Sequence, residues 1–355
     1  MFLKSTNKFF AIAAYVDDIF GCVEDEQDWI DFMSAYRQRF KVSVDDNANS
    51  FLGIQFYRTN DSTGYTETAV HQAHYIEQLL ERFNMKDCDP RSTPAVLGDA
   101  NALLLTEKVS SVANVPFREL VGALLFLSRN TRPDISFAVN FISRFNDCFQ
   151  EKHWRAAKRI LRYLKGTKQL CLTYNSQEQD FFGYCDSDWA QDRSDRKSTT
   201  GYVFFFAGAP ISWATKKQQS VAMSTCEAEY MAMSEATKEV MYLRQLLQSI
   251  NVLPQHAPTI IFCDNQAAMQ LTKAESQHSR AKHIDIRHHF IRDAIKRKIV
   301  EFRYINSENN AADILTKAIP APRHQKLVKE LSLKIRDASS SGGNIERTYL
   351  DDDAL

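Results

Sequence analysis

Apolar and polar positions in the second half of the chain alternate first with the period of strands and then with that of helices. Three β-prone runs at 181–189, 201–207 and 210–216, with Gly and Pro at the turns, predict an antiparallel meander. The pattern then predicts a long helix over about 224–250, a strand at 259–263, two shorter helices up to 297, a strand at 299–305 and a last helix from 309. The order βββαβααβα predicts an α/β domain with a mixed five-stranded sheet and helices.

The first half mixes β-prone and helical segments, so the chain as a whole is predicted to be α+β. Runs at 9–15 and 19–23 flank Val16-Asp17-Asp18 and predict a strand, a tight acidic turn and a returning strand. The later patterns predict a helix over 29–40, strands at 41–44 and 51–57, and a helix at 74–83. Residues 116–168 are predicted to be largely helical, with a break at Arg132-Pro133-Asp134.

Composition narrows the class of protein. The 355 residues suggest two or three domains, and 44% hydrophobic with 25% charged residues is typical of a soluble globular protein. Lys plus Arg equals Asp plus Glu, so any basic surface for nucleic acid must be local. Seven cysteines without a C-x-x-C pair argue against a disulfide framework and a cysteine zinc site. With no membrane span or signal peptide, we expect an intracellular, soluble protein without a membrane partner, in cytoplasm or nucleus.

Four acids of the second half are placed where carboxylates are costly unless they are paired. Asp186 lies within a half-buried strand, and Asp264 ends the next buried strand, at the edge where open α/β sheets bind ligands. Glu229 shares a helical row with core residues, and Asp313 begins the last helix. Each acid alone is compatible with a turn, rim or cap role. Together they would repel one another unless two Mg²⁺ ions, or Mn²⁺ as a substitute, neutralised them.

A helix after His153 carries a basic face without interleaved acids. Its apolar stripe is formed by Trp154, Ala157, Leu161 and Leu164. The other face is formed by Arg155, Lys158, Arg159, Arg162 and Lys165. Two explanations stay open, a solvated charged face and a face that follows nucleic-acid phosphates.

Five ordered blocks give the second half a specific resemblance to a known family. They are GYCDSDWA at 183–190, SDRKSTTG at 194–201, STCEAEY at 224–230, KHIDIR at 282–287 and ADILTK at 312–317. With the element order and the four acids, these blocks resemble the ribonuclease H region of copia-type LTR retrotransposon Pol polyproteins. The resemblance implies hydrolysis of RNA paired to DNA, in which one metal ion assists attack by water and the other stabilises the leaving 3′ oxygen.

One departure from the ribonuclease H pattern concerns histidine. Enzymes of this fold usually carry a His before the last acid, and residues 303–313 contain none. His283, His288 and His289 are candidate substitutes, on a predicted basic helix that also carries Arg287 and Arg292. A surface position or a contact to phosphate is the alternative for this group, and His283 and Arg287 are assigned to nucleic-acid binding.

The first half is similar to the end of a reverse transcriptase. Tyr15-Val16-Asp17-Asp18 resembles the Y-x-D-D turn, in which Asp17 and Asp18 would hold magnesium, and FLGI at 51–54, with Leu52 and Gly53, resembles the primer-contacting hairpin. FRELVGALLFL at 117–127 and RPDI at 132–135 resemble the connecting region. Only 14 residues precede Tyr15, so the strand with the third acid is expected to be missing, and we expect no DNA synthesis by the chain alone.

The resemblance predicts a domain division and a set of partners. The predicted parts are a truncated reverse transcriptase palm at 1–60, a thumb- and connection-like helical region at 61–177, a ribonuclease H domain at 178–320, and a C-terminal helix with a disordered tail at 321–355. RNA–DNA hybrid, primer–template and the rest of a Pol polyprotein are the expected partners, and the oligomeric state stays open. The alternatives are a non-catalytic nucleic-acid-binding remnant and a protein that is idle or not stably folded.

Overall fold

The elements of the first half lie in two sheets and a helical layer. The computed structural model describes residues 2–3, 9–43, 48–60, 66–98, 103–104, 115–253, 257–273 and 282–335, with the side chains of 2, 3, 60 and 282–286 outside the description. In chain order the first elements are β1 (Phe2–Leu3), β2 (Phe10–Tyr15), β3 (Asp18–Val23), α1 (Glu26–Arg37), β4 (Ser50–Phe51), β5 (Ile54–Asn60), β6 (Thr66–His71), α2 (Ala73–Arg82), α3 (Phe117–Asn130), α4 (Ser136–Ser143), α5 (Glu151–Gly166) and β7 (Leu170–Asn175).

The second half follows the predicted order of elements up to its last helix. The elements are β8 (Phe182–Ser187), β9 (Thr199–Phe206), β10 (Ala209–Lys217), α6 (Thr225–Ser249), β11 (Thr259–Cys263), α7 (Gln266–Lys273), α8 (Lys282–Lys296), β12 (Val300–Tyr304), α9 (Ala321–Glu330) and β13 (Leu333–Ile335). The five strands β8 to β12 form a mixed sheet in the order β10-β9-β8-β11-β12. The first three strands are antiparallel, and β11 runs parallel to both β8 and β12. This is the predicted ribonuclease H-like α/β fold.

The predicted last helix from residue 309 is wrong in detail. The structure has two short 3₁₀ turns, Ser307–Asn309 and Ala311–Leu315, followed by the α-helix α9. Asn310 accepts a hydrogen bond from the Ala312 amide at 3.1 Å and donates one to the Cys185 carbonyl at 3.0 Å, which ties the second turn to β8. Pro320 has no amide hydrogen to donate, so a continuous helix through this segment is disfavoured.

A second five-stranded sheet joins distant parts of the chain in the order β13-β7-β6-β5-β4, with all neighbours antiparallel. The strand prediction at 41–44 is wrong for 41–43, which form no strand, and residue 44 lies outside the described residues. A further sheet consists of β1, β2 and β3, as expected for the acidic turn. The segment 336–355, with the predicted disordered tail, also lies outside the described residues.

Three buried hydrophobic clusters hold these layers together. Helices α2 to α5 share one cluster, and α6, α7 and α8 pack against one face of the mixed sheet in another. On the opposite sheet face, Val203 and Phe205 pack with Leu172 of β7, Ile314 of the 3₁₀ turn and Leu327 of α9. This third cluster therefore includes residues from both sides of the predicted boundaries at 177/178 and 320/321, and the domain division stays a prediction.

The predicted helix break is a buried ion-pair site. Pro133–Ile135 forms a 3₁₀ turn, and the Arg132 guanidinium donates to both oxygens of Asp134 at 2.9 and 2.7 Å. Both side chains are buried, and Tyr163 donates to the same carboxylate at 2.6 Å. Arg132 also donates to the carbonyl and the hydroxyl of Thr167, so the site links the start of α4 to the end of α5.

Candidate metal-binding active site

The mixed sheet brings the four predicted acids of the second half to one edge. Asp186 lies near the end of β8 and Asp264 directly follows β11, and because these strands are parallel neighbours their carboxyl ends are adjacent. Glu229 lies in the first turns of α6, which packs across β8 and β9. Asp313 lies in the 3₁₀ turn below the sheet. Asp186, Glu229 and Asp313 are buried, whereas Asp264 is partly exposed.

The carboxylates of this edge are close enough to share cations. One oxygen from each of Asp186, Asp264 and Asp313 lies within 4.8 Å of the others. Glu229, Asp264 and the Cys263 thiol form a second group with the same limit. A donor set made chiefly of carboxylate oxygens suits hard divalent cations such as Mg²⁺ or Mn²⁺. The residues present therefore fit the predicted metal ions.

Backbone and hydroxyl groups hold these carboxylates in place. The Ser187 amide donates to Glu229 Oε1 at 3.3 Å, which fixes the glutamate across the end of β8. The Thr316 hydroxyl donates to Asp186 Oδ2. Because Thr316 follows the turn that carries Asp313, this hydrogen bond also connects two of the acids.

Two cations that the sequence reasoning missed neutralise part of the cluster. Lys317 Nζ lies 2.7 Å from Asp313 Oδ1 and 3.8 Å from Asp186 Oδ2. Arg323, at the start of α9, pairs with the other oxygen of Asp313. Lys317 follows Asp313 by four residues, a spacing from which the contact between them could have been predicted. The second depends on how α9 packs beneath the turn, for which the sequence offers no local signal.

Burial and mutual repulsion raise the pKa of two of the acids. Burial raises the pKa of Asp186 well above its usual range, and Asp313 and Asp264 raise it further, while Lys317 opposes this shift. Burial likewise raises the pKa of Glu229, with Asp186 as the strongest acidic contributor. A bound divalent cation would favour the ionised forms of both groups.

The histidines on α8 have separate surroundings. The His288 ring packs on the Tyr230 ring with centroids 4.2 Å apart, and His289 is exposed. Arg287 is partly buried on the same helix, whereas the side chain of His283 lies outside the described residues. The assignment of His283 and Arg287 to nucleic-acid binding stays a prediction, as does a role of the three histidines in place of the loop histidine.

The two predicted hairpins of the first half present turns to solvent. Asp17, in the turn between β2 and β3, and Asp18, the first residue of β3, are exposed, and Val16 has a positive φ of 51°. Leu52 and Gly53, with φ of 51° and 76°, form the two-residue turn between β4 and β5. Among the described residues, groups of three potential metal ligands occur only around Asp264. Asp17 and Asp18 therefore stand as a pair within the part of the chain that the structure describes.

The basic face of α5 is arranged along a groove. Four of its five predicted cations, Arg155, Lys158, Arg159 and Arg162, line a cavity of about 700 Å³ between α5 and the segment 85–96. The fifth, Lys165, donates to the Cys88 carbonyl at 2.6 Å.

Among the described residues, no helix combines the length and the apolar character that a membrane span requires.

Comparisons with known proteins relate both halves to retroelements. A family described as reverse transcriptase (RNA-dependent DNA polymerase) matches residues 1–97. The retrovirus-related Pol polyprotein from transposon TNT 1-94 of Nicotiana tabacum is 37% identical over 331 residues, which are 92% of this chain and 24% of that protein. The corresponding polyprotein from transposon RE2 of Arabidopsis thaliana is 33% identical over 93% of this chain and 22% of its own length. The chain thus spans about a quarter of these relatives.

A shorter protein and a solved structure are also similar to parts of this chain. The uncharacterized mitochondrial protein AtMg00810 of Arabidopsis thaliana is 39% identical over 192 residues, which cover 54% of this chain and 76% of that protein. The solved structure of LC11-RNase H1, isolated from compost, has a TM-score of 0.31 and 16% identity over 39% of this chain and 93% of its own.

Proposed function

The chain belongs to the family of copia-type retrotransposon Pol polyproteins, and on that premise we propose that its carboxylate cluster hydrolyses the RNA strand of RNA–DNA hybrids. The observation that carries the proposal is the meeting of Asp186, Asp264 and Asp313 within 4.8 Å, with Glu229 beside Asp264. Buried carboxylates so close together are costly unless cations neutralise them. This cost is accounted for if the acids serve as metal ligands.

In this proposal the four carboxylates hold two Mg²⁺ ions, which Mn²⁺ can replace. When bound, such ions supply an activated water and stabilise the leaving oxygen of a phosphodiester. The Ser187 amide and the Thr316 hydroxyl orient Glu229 and Asp186, so these ligands are positioned before substrate arrives. Asn310 keeps the turn of Asp313 against β8.

The test is cleavage of a labelled RNA–DNA hybrid with Mg²⁺ by the wild type, Asp186→Asn and Glu229→Gln. Each variant keeps the shape of the side chain and removes its charge, so we expect activity to fall at least about a hundredfold. Asp293→Asn is the matched control, because that carboxylate pairs with Arg297 on the surface of α8 and should have no effect. Cleavage that survives Asp186→Asn, or that needs no divalent ion, contradicts the proposal.

A second candidate function is nucleic-acid binding without cleavage. The groove along α5 favours it, because it concentrates cations in a chain with no net charge. Lys317 and Arg323 add to it, since both form ion pairs with Asp313. A wild-type protein that is folded and binds the hybrid but does not cut it would make this the better description.

For the reverse transcriptase segment we propose a role in contacting primer–template. Asp17 and Asp18 are proposed as two metal ligands of a polymerase site, and the turn of Leu52 and Gly53 as a contact to the primer. The expectation that the chain alone does not synthesise DNA stays a prediction, which nucleotide incorporation in a primer-extension assay would contradict. We propose the remainder of a Pol polyprotein as the protein partner. We also propose that the protein acts inside the cell.

A further inference from the structure

The groove along α5 has a strong local surplus of positive charge. Among the residues that the structure describes, two acids, Asp87 and Asp89, line its walls together with the cations Arg91, Lys152, Arg155, Lys158, Arg159 and Arg162. The whole chain has equal numbers of Lys plus Arg and Asp plus Glu. The groove therefore concentrates charge that composition alone does not provide, and polyanions are the natural ligands of such a surface.

Hydrogen bonds to neutral groups orient two of these cations, Arg159 and Arg162, and Arg162 also forms an ion pair with the exposed Asp89 carboxylate at 3.4 Å. Arg162 Nε donates to the Asp89 carbonyl at 2.6 Å, and Arg159 Nη2 donates to the Thr93 hydroxyl at 2.9 Å. Such hydrogen bonds orient a guanidinium without cancelling its charge. The ion pair of Arg155 with Glu151, at 3.1 Å, is exposed on both sides and is readily screened or exchanged.

The other side of α5 fixes the groove in space. Ala157, Leu161 and Leu164 are buried in the core of the helical layer, so the cations project from a rigid helix. Arg155, Lys158 and Arg162 are spaced three and four residues apart, a separation at which like charges repel. They extend over about 10 Å of helix axis, which matches roughly three phosphates of one nucleic-acid strand.

We propose that this groove is a binding site for the phosphodiester backbone of nucleic acid, separate from the carboxylate cluster. The choice of nucleic acid over another polyanion rests on the proposed function, whereas the anion-binding character rests on the groove itself. Phosphate contacts of this kind position a substrate without reading its sequence.

The test is fluorescence anisotropy of a labelled RNA–DNA hybrid over a series of KCl concentrations, in EDTA so that no cleavage takes place. The double variant Arg155→Gln, Lys158→Gln should bind several-fold more weakly, and the slope of log affinity against log salt should decrease by about 2, or about 1 per lost phosphate contact. Because the readout is binding, failure of the nuclease reaction and failure of this site are distinguishable.

The matched control is Lys238→Gln, Lys334→Gln, which removes two exposed charges from α6 and β13 and should leave both affinity and slope unchanged. Urea unfolding of all variants checks that the fold is intact. An unchanged slope for the groove variant, or an equal decrease for the control, overturns the proposal. So does displacement of the hybrid by polyglutamate at equal charge concentration, because the groove would then not discriminate in favour of nucleic acid.

Discussion

The replacement of Lys317 by methionine tests how the carboxylate cluster is neutralised without metal. At 2.7 Å from Asp313 and 3.8 Å from Asp186, the ammonium group is the counterion of two buried acids. Coulomb's law with an effective dielectric constant of about 20 gives an upper bound of about 6 kcal/mol for the shorter contact. The Lys317 side chain is 27% exposed, so we discount this value and expect a loss of about 2 to 4 kcal/mol in the metal-free protein.

The same substitution should strengthen metal binding. In the wild type a divalent ion must compete with the ammonium group for oxygens of Asp186 and Asp313, and in Lys317→Met this competition is absent. If the loss of this competition makes the free energy of Mg²⁺ binding more favourable by only about 1.4 kcal/mol, the dissociation constant for Mg²⁺ decreases tenfold. Isothermal titration with Mg²⁺, and urea unfolding with EDTA or excess Mg²⁺, measure the two effects separately.

Lys238→Met is the control, because its ammonium also lies 2.7 Å from a carboxylate, that of Glu235, but on the surface. It should change stability by less than about 1 kcal/mol and leave Mg²⁺ affinity unaltered. If Lys317→Met binds Mg²⁺ more weakly than the wild type, or gains no more stability from Mg²⁺, the ammonium group does not compete with metal and the reasoning is refuted.

Three further predictions concern the fold around the two sites. His153 accepts a hydrogen bond from the Gln150 amide, and burial lowers its pKa, so the unfolded chain binds the proton more readily than the folded one. The free energy of unfolding should therefore be full above about pH 6.5 and fall below it, and His153→Asn should show a smaller fall between pH 7.5 and pH 5.5 in urea unfolding. Equal falls for the variant and the wild type would contradict this. A Cβ at Gly201 would lie 2.9 Å from Leu315 Cβ, so Gly201→Ala should displace the turn of the last acid and weaken Mg²⁺ binding by titration, whereas unaltered binding would show that the turn can yield. Arg132→Met leaves the buried Asp134 carboxylate unpaired and should lower the free energy of unfolding by about 3 to 5 kcal/mol in urea unfolding. The surface variant Arg297→Met should lower it by less than about 1 kcal/mol, and an equally small loss for Arg132→Met would argue that water reaches the Arg132–Asp134 pair.

The mixed sheet was predictable because its strands are marked by local β-prone runs. Strands β6 and β13 were missed for the opposite reason. Thr66–His71 is rich in polar residues, and Leu333–Ile335 is only three residues long, so each is a strand only because of its partners. The segment 41–43 shows the converse, since Val42 between polar neighbours suggested a strand, but these residues pair with no strand that the structure describes.

Asp186 and Asp264 could be placed together from the sequence because both lie at the ends of strands, and Glu229 because it shares a helical row with core residues. Their cationic partners could be identified only in part. Lys317 is one helical turn from Asp313 in sequence, whereas Arg323 reaches the same carboxylate from α9, beyond Pro320. Tertiary packing rather than local pattern sets that second contact. The same holds for the groove, whose second wall, 85–96, carries no signal that it faces α5.

The pairing of β13 with β7 has a consequence for the order in which the molecule forms during synthesis. Leu333 pairs with Leu172, from the middle of the chain, and Leu327 and Leu331 are fully buried in the same cluster as Val203 and Phe205. Before residues 321–335 have been made, the nascent chain therefore exposes one apolar face of the mixed sheet to water. The turn of Asp313 lies in that same layer, so the carboxylate cluster is completed only after residues 321–335 have been made. Chaperones that cover apolar surfaces are expected to act before the cluster is assembled.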